Sequence, residues 1–315
     1  MSHIIGTDEA GYGPNLGPLT IAATCWESNT TELYQRLGKI VSNDPKEGDK
    51  IVVCDSKEIL KSGRSIERLE TSVLAILAAV TSQIPTNFSH LNQLLSPQAY
   101  ELLDQTKFIR VSNEISLPFL ADANRINQLA DRFLYACEEQ DVRLSKIQCQ
   151  AISPGPFNLA IQRHGNKSDV LSNATLELVH SMCAGLSGPI EIVCDKHGGR
   201  NRYAAVIGQT LTDQFVHVTE ESRALSRYYW EEKNRNCKIE FRAKGESKLP
   251  IALASMIAKY VREISMTIWN QFWAIEVPGI RPTKGYPGDA KRFKDEIRSH
   301  QEKLGIADHL IWRCR

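Results

Sequence analysis

The sequence has no excess of charge of either sign: 38 Lys and Arg residues stand against 37 Asp and Glu residues, for a formal net charge of +1. This balance excludes a polybasic protein, so any nucleic-acid partner must be bound by local patches. No uninterrupted apolar stretch approaches the ~18 residues of a membrane span. The first residues also lack the basic and apolar regions of a signal peptide. We therefore expect a cytoplasmic protein with no membrane partner.

Several common functional motifs are also missing. None of the eight cysteines forms a close C-x-x-C pair, which argues against a zinc site and indicates reduced thiols. There is no Walker loop, G-x-S-x-G elbow or H-E-x-x-H motif. Repeats and low-complexity linkers are absent too. With 42% hydrophobic and 24% charged residues, the composition is that of a globular protein. We expect one main domain over residues 1–315, and a monomer.

Hydrophobic periodicity predicts a mixture of strands and helices. The apolar runs Ile4–Asp8 and Leu19–Trp26 flank a Gly- and Pro-rich turn, which predicts an antiparallel hairpin. From about residue 65 to 150 the spacing is mostly helical and predicts an inserted helical segment. Ile190–Cys194 is then a clear strand, and Lys248–Trp273 a long helix. Strands followed by alternating helices and strands predict a mixed α/β sheet.

Four acidic residues lie where predicted strands end. Asp8 and Glu9 close the first strand, Asp195 closes the run IEIVCD, and Glu246 precedes the long helix. Neighbouring side chains on a regular strand point to opposite faces, so the first two can share a site only where the strand breaks. Clustered carboxylates need cations to offset their repulsion, and oxygen ligands suit Mg²⁺ or Mn²⁺. Two such ions roughly 4 Å apart support phosphodiester hydrolysis.

Basic residues surround the third and fourth acids. Lys196 and Arg200 follow Asp195, and Lys244 and Lys248 flank Glu246. A basic rim around an acidic centre suits a phosphodiester substrate that is bound together with metal ions. The same composition also fits a solvated charged loop, because a single acid at a strand end is most often a cap or turn residue. Composition alone leaves both interpretations open.

Five segments resemble the ribonuclease HII/HIII family, in the family's order from residue 4 to about 290. The segments are GTDEAGYGPNLGPL, Asp55-Ser56-Lys57, IEIVCD, KGESKLPIALASMIAKYVRE and the KGYP run that begins at Lys284. The resemblance implies a ribonuclease H-like mixed five-stranded sheet flanked by helices, with Asp8, Glu9, Asp195 and Glu246 around two Mg²⁺ or Mn²⁺ ions. It implies cleavage of the RNA strand of RNA–DNA hybrids, or at ribonucleotides embedded in a DNA duplex, leaving a 3′-hydroxyl and a 5′-phosphate.

The resemblance also implies substrate contacts. In the family, the glycine backbone of a turn matching Gly11 and Gly13 reads the 2′-hydroxyl at the cleavage site, and the match to Tyr286 packs on the neighbouring sugar. Besides these residues, the predicted contacts are Tyr12, Lys57, Lys196, Arg200, Lys244 and Lys248. Residues from about 274 to 315 form a predicted substrate-contacting segment, and Glu263 is predicted to stand behind the metal ligands.

Two features bear on the branch and on the substrate. Glu246 in place of aspartate, and the stretch AISPGPFNLAIQRHGNKSDVL, resemble ribonuclease HIII. Because Asp8 lies near the start of the sequence, we expect no counterpart of the extra N-terminal domain that this branch normally carries. The family usually has Arg or Lys where Tyr12 stands. Tyrosine supplies no cation to a phosphate but can stack on a base or sugar. A catalytically silent nucleic-acid-binding protein with the same fold, and a nuclease for another nucleic acid, therefore remain alternatives.

Overall fold

The computed structural model describes residues 1–61, 66–96, 111–232 and 235–314. Its strands are Ser2–Ala10 (β1), Leu19–Ser28 (β2), Val41–Ser42 (β3), Ile51–Val52 (β4), Arg143–Ile152 (β5), Ile190–Asp195 (β6), His217–Glu221 (β7), Leu225–Glu232 (β8) and Arg235–Arg242 (β9). Its α-helices are Leu33–Arg36 (α1), Ser56–Lys61 (α2), Ile66–Thr81 (α3), Phe88–Leu95 (α4), Ala123–Glu139 (α5), Pro154–His164 (α6), Lys167–Cys183 (α7), Ala204–Thr210 (α8), Leu249–Glu276 (α9) and Pro287–Lys303 (α10). Two 3-10 helices span Gly245–Ser247 and Asp308–Leu310.

The main sheet has the strand order β5-β2-β1-β6-β9-β8-β7. Strand β1 pairs antiparallel with β2 and parallel with β6, which in turn pairs parallel with β9. The predicted mixed α/β sheet with flanking helices is confirmed, but the expected number of five strands is wrong. The described residues form seven, because β7 and β8 extend the edge beyond β9. Buried and exposed residues alternate along β8, as in a strand with one covered face. Because many of these residues are polar or aromatic, the sequence of β8 lacks a clear alternation of apolar residues.

The predicted hairpin of β1 and β2 is confirmed, with a register from Ser2↔Ser28 to Ala10↔Thr20. Strand β1 continues past both acids to Ala10 and ends directly before the glycines of the turn. The parallel pairing with β6 ends at Thr7↔Cys194. One edge of Asp8 and Glu9 is therefore left without a strand partner.

Helices cover both faces of the sheet and create two apolar layers. On one face, α9 packs along β1 and β2, with α3 and α5 beside it. On the other face, α7 and α8 pack against the sheet. The close approach of α9 depends on Gly6, because a Cβ atom there would lie 2.3 Å from the carbonyl carbon of Pro250. The long helix predicted over Lys248–Trp273 is confirmed and runs three residues further, to Glu276.

The segment predicted as a helical insertion needs a correction at its end. Helices α3, α4 and α5 lie within it, but Arg143–Ile152 forms the edge strand β5. Leu144, Ile147 and Cys149 are its buried residues, and this spacing is disturbed by a bulge opposite Cys25 and Trp26. The helical part therefore stops before residue 143. The predicted segment also includes residues 97–110, which lie outside the described part of the chain.

A buried carboxylate ties this helical part to the core. Glu70 in α3 is fully buried and accepts backbone N–H bonds of 2.6–2.8 Å from Phe119, Leu120 and Ala121. The hydroxyl of Tyr260 in α9 donates to the same carboxylate at 2.8 Å. Each carboxylate oxygen therefore has hydrogen-bonded partners. None of the helices in the described part of the chain combines the length and apolar content needed to cross a membrane.

Candidate active site

The fold brings the four predicted acids to one end of neighbouring strands. Asp8 and Glu9 lie near the end of β1, and Asp195 is the last residue of the adjacent β6. Strand β9 pairs with β6 as far as Asp195↔Arg242, and the 3-10 helix that carries Glu246 follows it. The amide of Gly245 donates to Oδ1 of Asp195 at 3.1 Å, which holds that helix against β6.

The charges of these acids act on one another. Burial and the charges of Glu9 and Asp195 raise the pKa of Asp8 well above its usual value. Burial and Asp195 raise the pKa of Glu9 to about 7, although the two neighbouring carboxyl groups hydrogen-bond to each other. Burial and Glu246 raise the pKa of Asp195. Buried like charges each favour the protonated form, so a nearby cation would be strongly favourable here.

The donor chemistry fits a hard divalent cation, because all four groups are carboxylates and their mutual repulsion needs a counter-charge. As the side chains stand, however, no three His, Cys, Asp or Glu residues of the described part are placed to enclose one ion. Binding therefore requires carboxylate side chains to rotate around the ion. Asp8, Glu9 and Asp195 would be the first to do so, since their charges already act on one another.

Two serines link the acids to the helices behind them. Ser255 of α9 hydrogen-bonds to the carboxyl group of Asp8, and its Oγ lies 3.3 Å from Oγ of Ser56. Lys57 next to Ser56 is exposed, and its charge lowers the pKa of both Glu9 and Asp195. Lys57 therefore lies close enough to the acids for its charge to act on them, and its contact with substrate stays a prediction. Ser255 was not predicted, and its place among small residues at the start of α9 is the only signal for it.

The Gly-x-Gly turn packs tightly against α9. Gly11 has a φ of +85°, and a Cβ atom there would lie 2.4 Å from Nε of Arg262. The backbone therefore needs glycine at this position. Gly13 has open space around it.

The segment with Tyr286 docks on the same turn. The carbonyl oxygen of Gly285 accepts hydrogen bonds from the amides of Asn15 and Leu16, at 2.8 and 3.3 Å. Tyr286 is 50% exposed, and the guanidinium of Arg262 lies 5.9 Å from its ring centroid. The turn and Tyr286, predicted as separate substrate contacts, are therefore neighbours.

Arg313 holds the turn from the other side and was not predicted. Its side chain is 2% exposed and donates to the carbonyl oxygens of Gly11, at 2.6 Å, and Pro14. Its amide donates to the carbonyl of Asn15 at 2.9 Å. Burial and the charge of Arg262 lower the pKa of Arg313. Part of the predicted segment from about 274 to 315 thus supports the turn from within the protein.

Several predicted substrate contacts are engaged with the protein itself. The ammonium of Lys196 lies 2.7–3.3 Å from four acceptors, on Arg200, Asn201, Ser222 and Ser226. The backbone beyond β6 is still extended, since the amide of Lys196 bonds to Arg242, so its side chain points away from that of Asp195. In this arrangement the ammonium of Lys196 is engaged with the protein, and its contact with substrate stays a prediction.

The remaining predicted residues are placed as follows. Arg200 pairs with Asp169 at 2.5 Å, Lys248 with Glu32 at 2.8 Å and Glu263 with Lys259 at 2.6 Å. Lys244 is exposed, with a backbone φ of 59°. Lys244 therefore stays available to a ligand, while the other three are held in ion pairs. Glu263 has its polar contact with Lys259, one turn along α9, and no contact with the four acids appears among the described residues.

We expect Arg313→Met to lower kcat/KM for the activity of this site by about 10- to 100-fold, because a displacement of about 1 Å in a site can have an effect of that size. Arg313→Lys should not restore it, since an ammonium lacks the planar fork that reaches two carbonyls. Steady-state kinetics and the melting temperature measure the two effects. Arg298→Met, at an exposed residue of α10, is the control. Full activity in Arg313→Met would contradict a role for Arg313 in holding the turn.

We expect Glu9→Gln to raise the melting temperature of the metal-free protein, and to raise it more at about pH 8 than at about pH 5. The raised pKa of Glu9, about 7, means that its stabilising contribution is present below about pH 4.5 and is lost as the pH rises through 7. Both chains contain the buried His197, whose pKa is lowered to about 3, so its effect cancels. A difference that does not change with pH would contradict the raised pKa of Glu9.

No protein-family model and no curated protein matches the chain. Among solved structures, it is similar to ribonuclease HII of Archaeoglobus fulgidus in a complex with PCNA, at 14% identity and a TM-score of 0.41, over 99% of this chain and 94% of that one. It is also similar to ribonuclease H2 of Pyrococcus horikoshii, at 15% identity and a TM-score of 0.43, over 98% of this chain and 92% of that one. A third similar structure is ribonuclease H3 of Aquifex aeolicus, at 15% identity and a TM-score of 0.40, over 98% of this chain and 71% of that one. All three are ribonucleases of types HII and HIII, but likenesses this distant do not determine the function of this chain.

Proposed function

We propose that this protein is a metal-dependent endonuclease that hydrolyses the RNA strand of RNA–DNA hybrids, or cuts at ribonucleotides embedded in a DNA duplex. The observation that carries the proposal is the group of buried and partly buried carboxylates at adjacent strand ends, where Asp8, Glu9 and Asp195 have raised pKa values. A site that holds this much negative charge needs cations before it can bind a phosphodiester. The Gly-x-Gly turn and the exposed Tyr286 border these acids through β1 and α9.

In the proposed mechanism, Asp8, Glu9, Asp195 and Glu246 hold two Mg²⁺ or Mn²⁺ ions. When bound, these ions would activate a water molecule and offset charge on the leaving oxygen. The chain's own groups keep the ligands in place: Ser255 bonds to Asp8, and the amide of Gly245 bonds to Asp195. Lys57 and Lys244 are exposed, and in the proposed mechanism they would meet phosphates. The backbone of Gly11 and Gly13 would contact the ribose at the cleavage site, and Tyr286 would pack on the neighbouring sugar.

The first test uses two labelled duplexes, one with a single ribonucleotide and one with a run of them, in Mg²⁺ and then in Mn²⁺. We expect metal-dependent cutting with a 5′-phosphate on the product. Cutting only within the run would indicate a ribonuclease HIII-like preference, and cutting beside the lone ribonucleotide an HII-like one. Binding of either duplex without cutting would overturn the proposed enzyme and favour a nucleic-acid-binding protein.

A second test measures the metal directly. We expect Mn²⁺ to raise the melting temperature of the wild-type protein at about pH 8, because an ion that binds only the folded state stabilises it. The rise should be smaller in Glu9→Gln, which lacks one carboxylate. Equal shifts in both proteins, or none in either, would contradict metal binding by this residue.

A further inference from the structure

Tyr12 joins three parts of the molecule next to the acids. It lies between Gly11 and Gly13, hydrogen-bonds to Ser168 and is affected by the charge of Glu9. Its hydroxyl lies against the turn after β6, since a Cβ atom on Gly198 would be 2.9 Å from it. The ring is therefore held between β1, α7 and the residues that follow Asp195. Tyr12 is fixed in place and is not a freely moving surface side chain.

Lys167 lies over the face of this ring. It is the first residue of α7, and its Nζ is 4.7 Å from the ring centroid of Tyr12, within the range of a cation–π contact. Lys167 is partly exposed, and in the described part of the chain no carboxylate lies within ion-pair distance of it. The neighbouring Asp169 is engaged with Arg200 at 2.5 Å. The ammonium of Lys167 therefore has no ion pair among the described residues and can bind an anionic ligand.

The turn itself has no cation to offer. Residues 10–18, AGYGPNLGP, contain no charged side chain. A duplex that passes over the turn brings a phosphate for each nucleotide, and the net charge of +1 gives no general attraction for it. A local cation beside the turn is thus needed, and α7 supplies one. The contact with Tyr12 limits where the ammonium can lie.

We infer that Lys167, positioned by the ring of Tyr12, binds a backbone phosphate of the nucleic acid beside the Gly11–Gly13 turn. This inference rests on the proposed function, because it takes the duplex as the ligand. Lys167 binds and does not take part in bond cleavage, so it contributes to affinity and leaves the chemical step unchanged. Tyr12 is a positioning residue that acts through Lys167.

The test measures affinity for a labelled RNA–DNA duplex in EDTA, from about 50 to about 200 mM KCl. Each phosphate contact contributes about 0.9 to the slope of log K against log salt concentration. We expect Lys167→Met to reduce the steepness of the slope by about that amount, and Lys167→Arg to keep it. Lys39→Met is the matched control: it makes the same change in net charge at an exposed residue that pairs with Glu139. Its slope should equal that of the wild type.

A double-mutant cycle tests the role of Tyr12. Tyr12→Leu should weaken binding about two- to five-fold in the wild-type background, and should have no further effect in Lys167→Met. Tyr12→Phe, which keeps the ring but lacks the hydroxyl that bonds to Ser168, should weaken binding less than Tyr12→Leu. Additive effects would overturn the positioning role of Tyr12.

Cleavage kinetics provide a further measurement. Lys167→Met should raise KM and leave kcat unchanged, as expected when binding is lost equally from the ground state and the transition state. If the wild type binds the duplex but Lys167→Met has the same salt slope, the phosphate contact of Lys167 is wrong and the proposed function still stands. A wild-type chain that neither binds nor cuts the duplex overturns both.

Discussion

Replacing Asp195 or Asp8 with Asn is expected to lower the rate of duplex cleavage on the order of 10³-fold or more, in a protein that stays folded. In the proposed mechanism each substitution would remove a charged ligand, and a metal ion would supply several kcal/mol of transition-state stabilisation, of which about 1.4 kcal/mol corresponds to each tenfold change in rate. The fold should persist because burial and neighbouring acids raise the pKa of both groups, so their charges oppose folding. Single-turnover kinetics at saturating enzyme measure the effect.

The control for this pair is Asp213→Asn, at an exposed residue after α8, which should cleave like the wild type. Circular dichroism and thermal unfolding check the fold of all three variants. If Asp8→Asn and Asp195→Asn both lose the fold, these acids are structural. If both keep full activity, the site lies elsewhere and the proposed function is wrong.

The second large effect is on stability. We expect Glu70→Leu to lower the free energy of unfolding by about 3–5 kcal/mol, because each buried donor left without an acceptor costs about 1–3 kcal/mol. Three backbone amides and the hydroxyl of Tyr260 lose their acceptor together. Denaturant unfolding monitored by fluorescence gives this free energy.

Graded variants make the result interpretable. Tyr260→Phe removes a single donor and should cost about 1 kcal/mol, while Glu302→Leu, at an exposed residue of α10, should change little. If Glu70→Leu does not fold at all, Glu70→Gln, which keeps one acceptor oxygen, should fold with an intermediate loss. A loss for Glu70→Leu no larger than that for Glu302→Leu would contradict the structural role of Glu70.

Local periodicity was enough to predict the elements that bury a regular apolar pattern. Helix α5 lies within the segment predicted as mostly helical, and α9 is only slightly longer than expected. Strand β5 and helix α10 were missed for opposite reasons. The apolar residues of β5 follow directly on a helix and are disturbed by a bulge, whereas the sequence of α10 is mostly charged and buries few side chains, Phe293 and Ile297 among them.

The site was predictable where residue type alone carries the chemistry. The four acids, Lys57 and Tyr286 could be proposed from the sequence because carboxylates, a lysine and an aromatic residue occur in recognisable segments. The bonding of Lys196 within the protein was not predictable, because adjacent residues on an extended strand face opposite sides, which composition does not reveal. Ser255 contacts Asp8, and Arg313 contacts Gly11, which lies 302 positions earlier in the chain. No local pattern marks such a partner.

The hydrogen bonds from Arg313 to the turn affect the order in which the protein can fold. The β1–β2 hairpin consists of residues 2–28 and can pair as soon as they leave the ribosome, because antiparallel neighbours need no distant partner. The turn inside that hairpin must wait for a residue that is synthesised about 300 positions later. A nascent chain can thus have its first two acids in place while the loop beside them is still unpinned. Completion of the turn is thereby coupled to nearly complete synthesis of the chain.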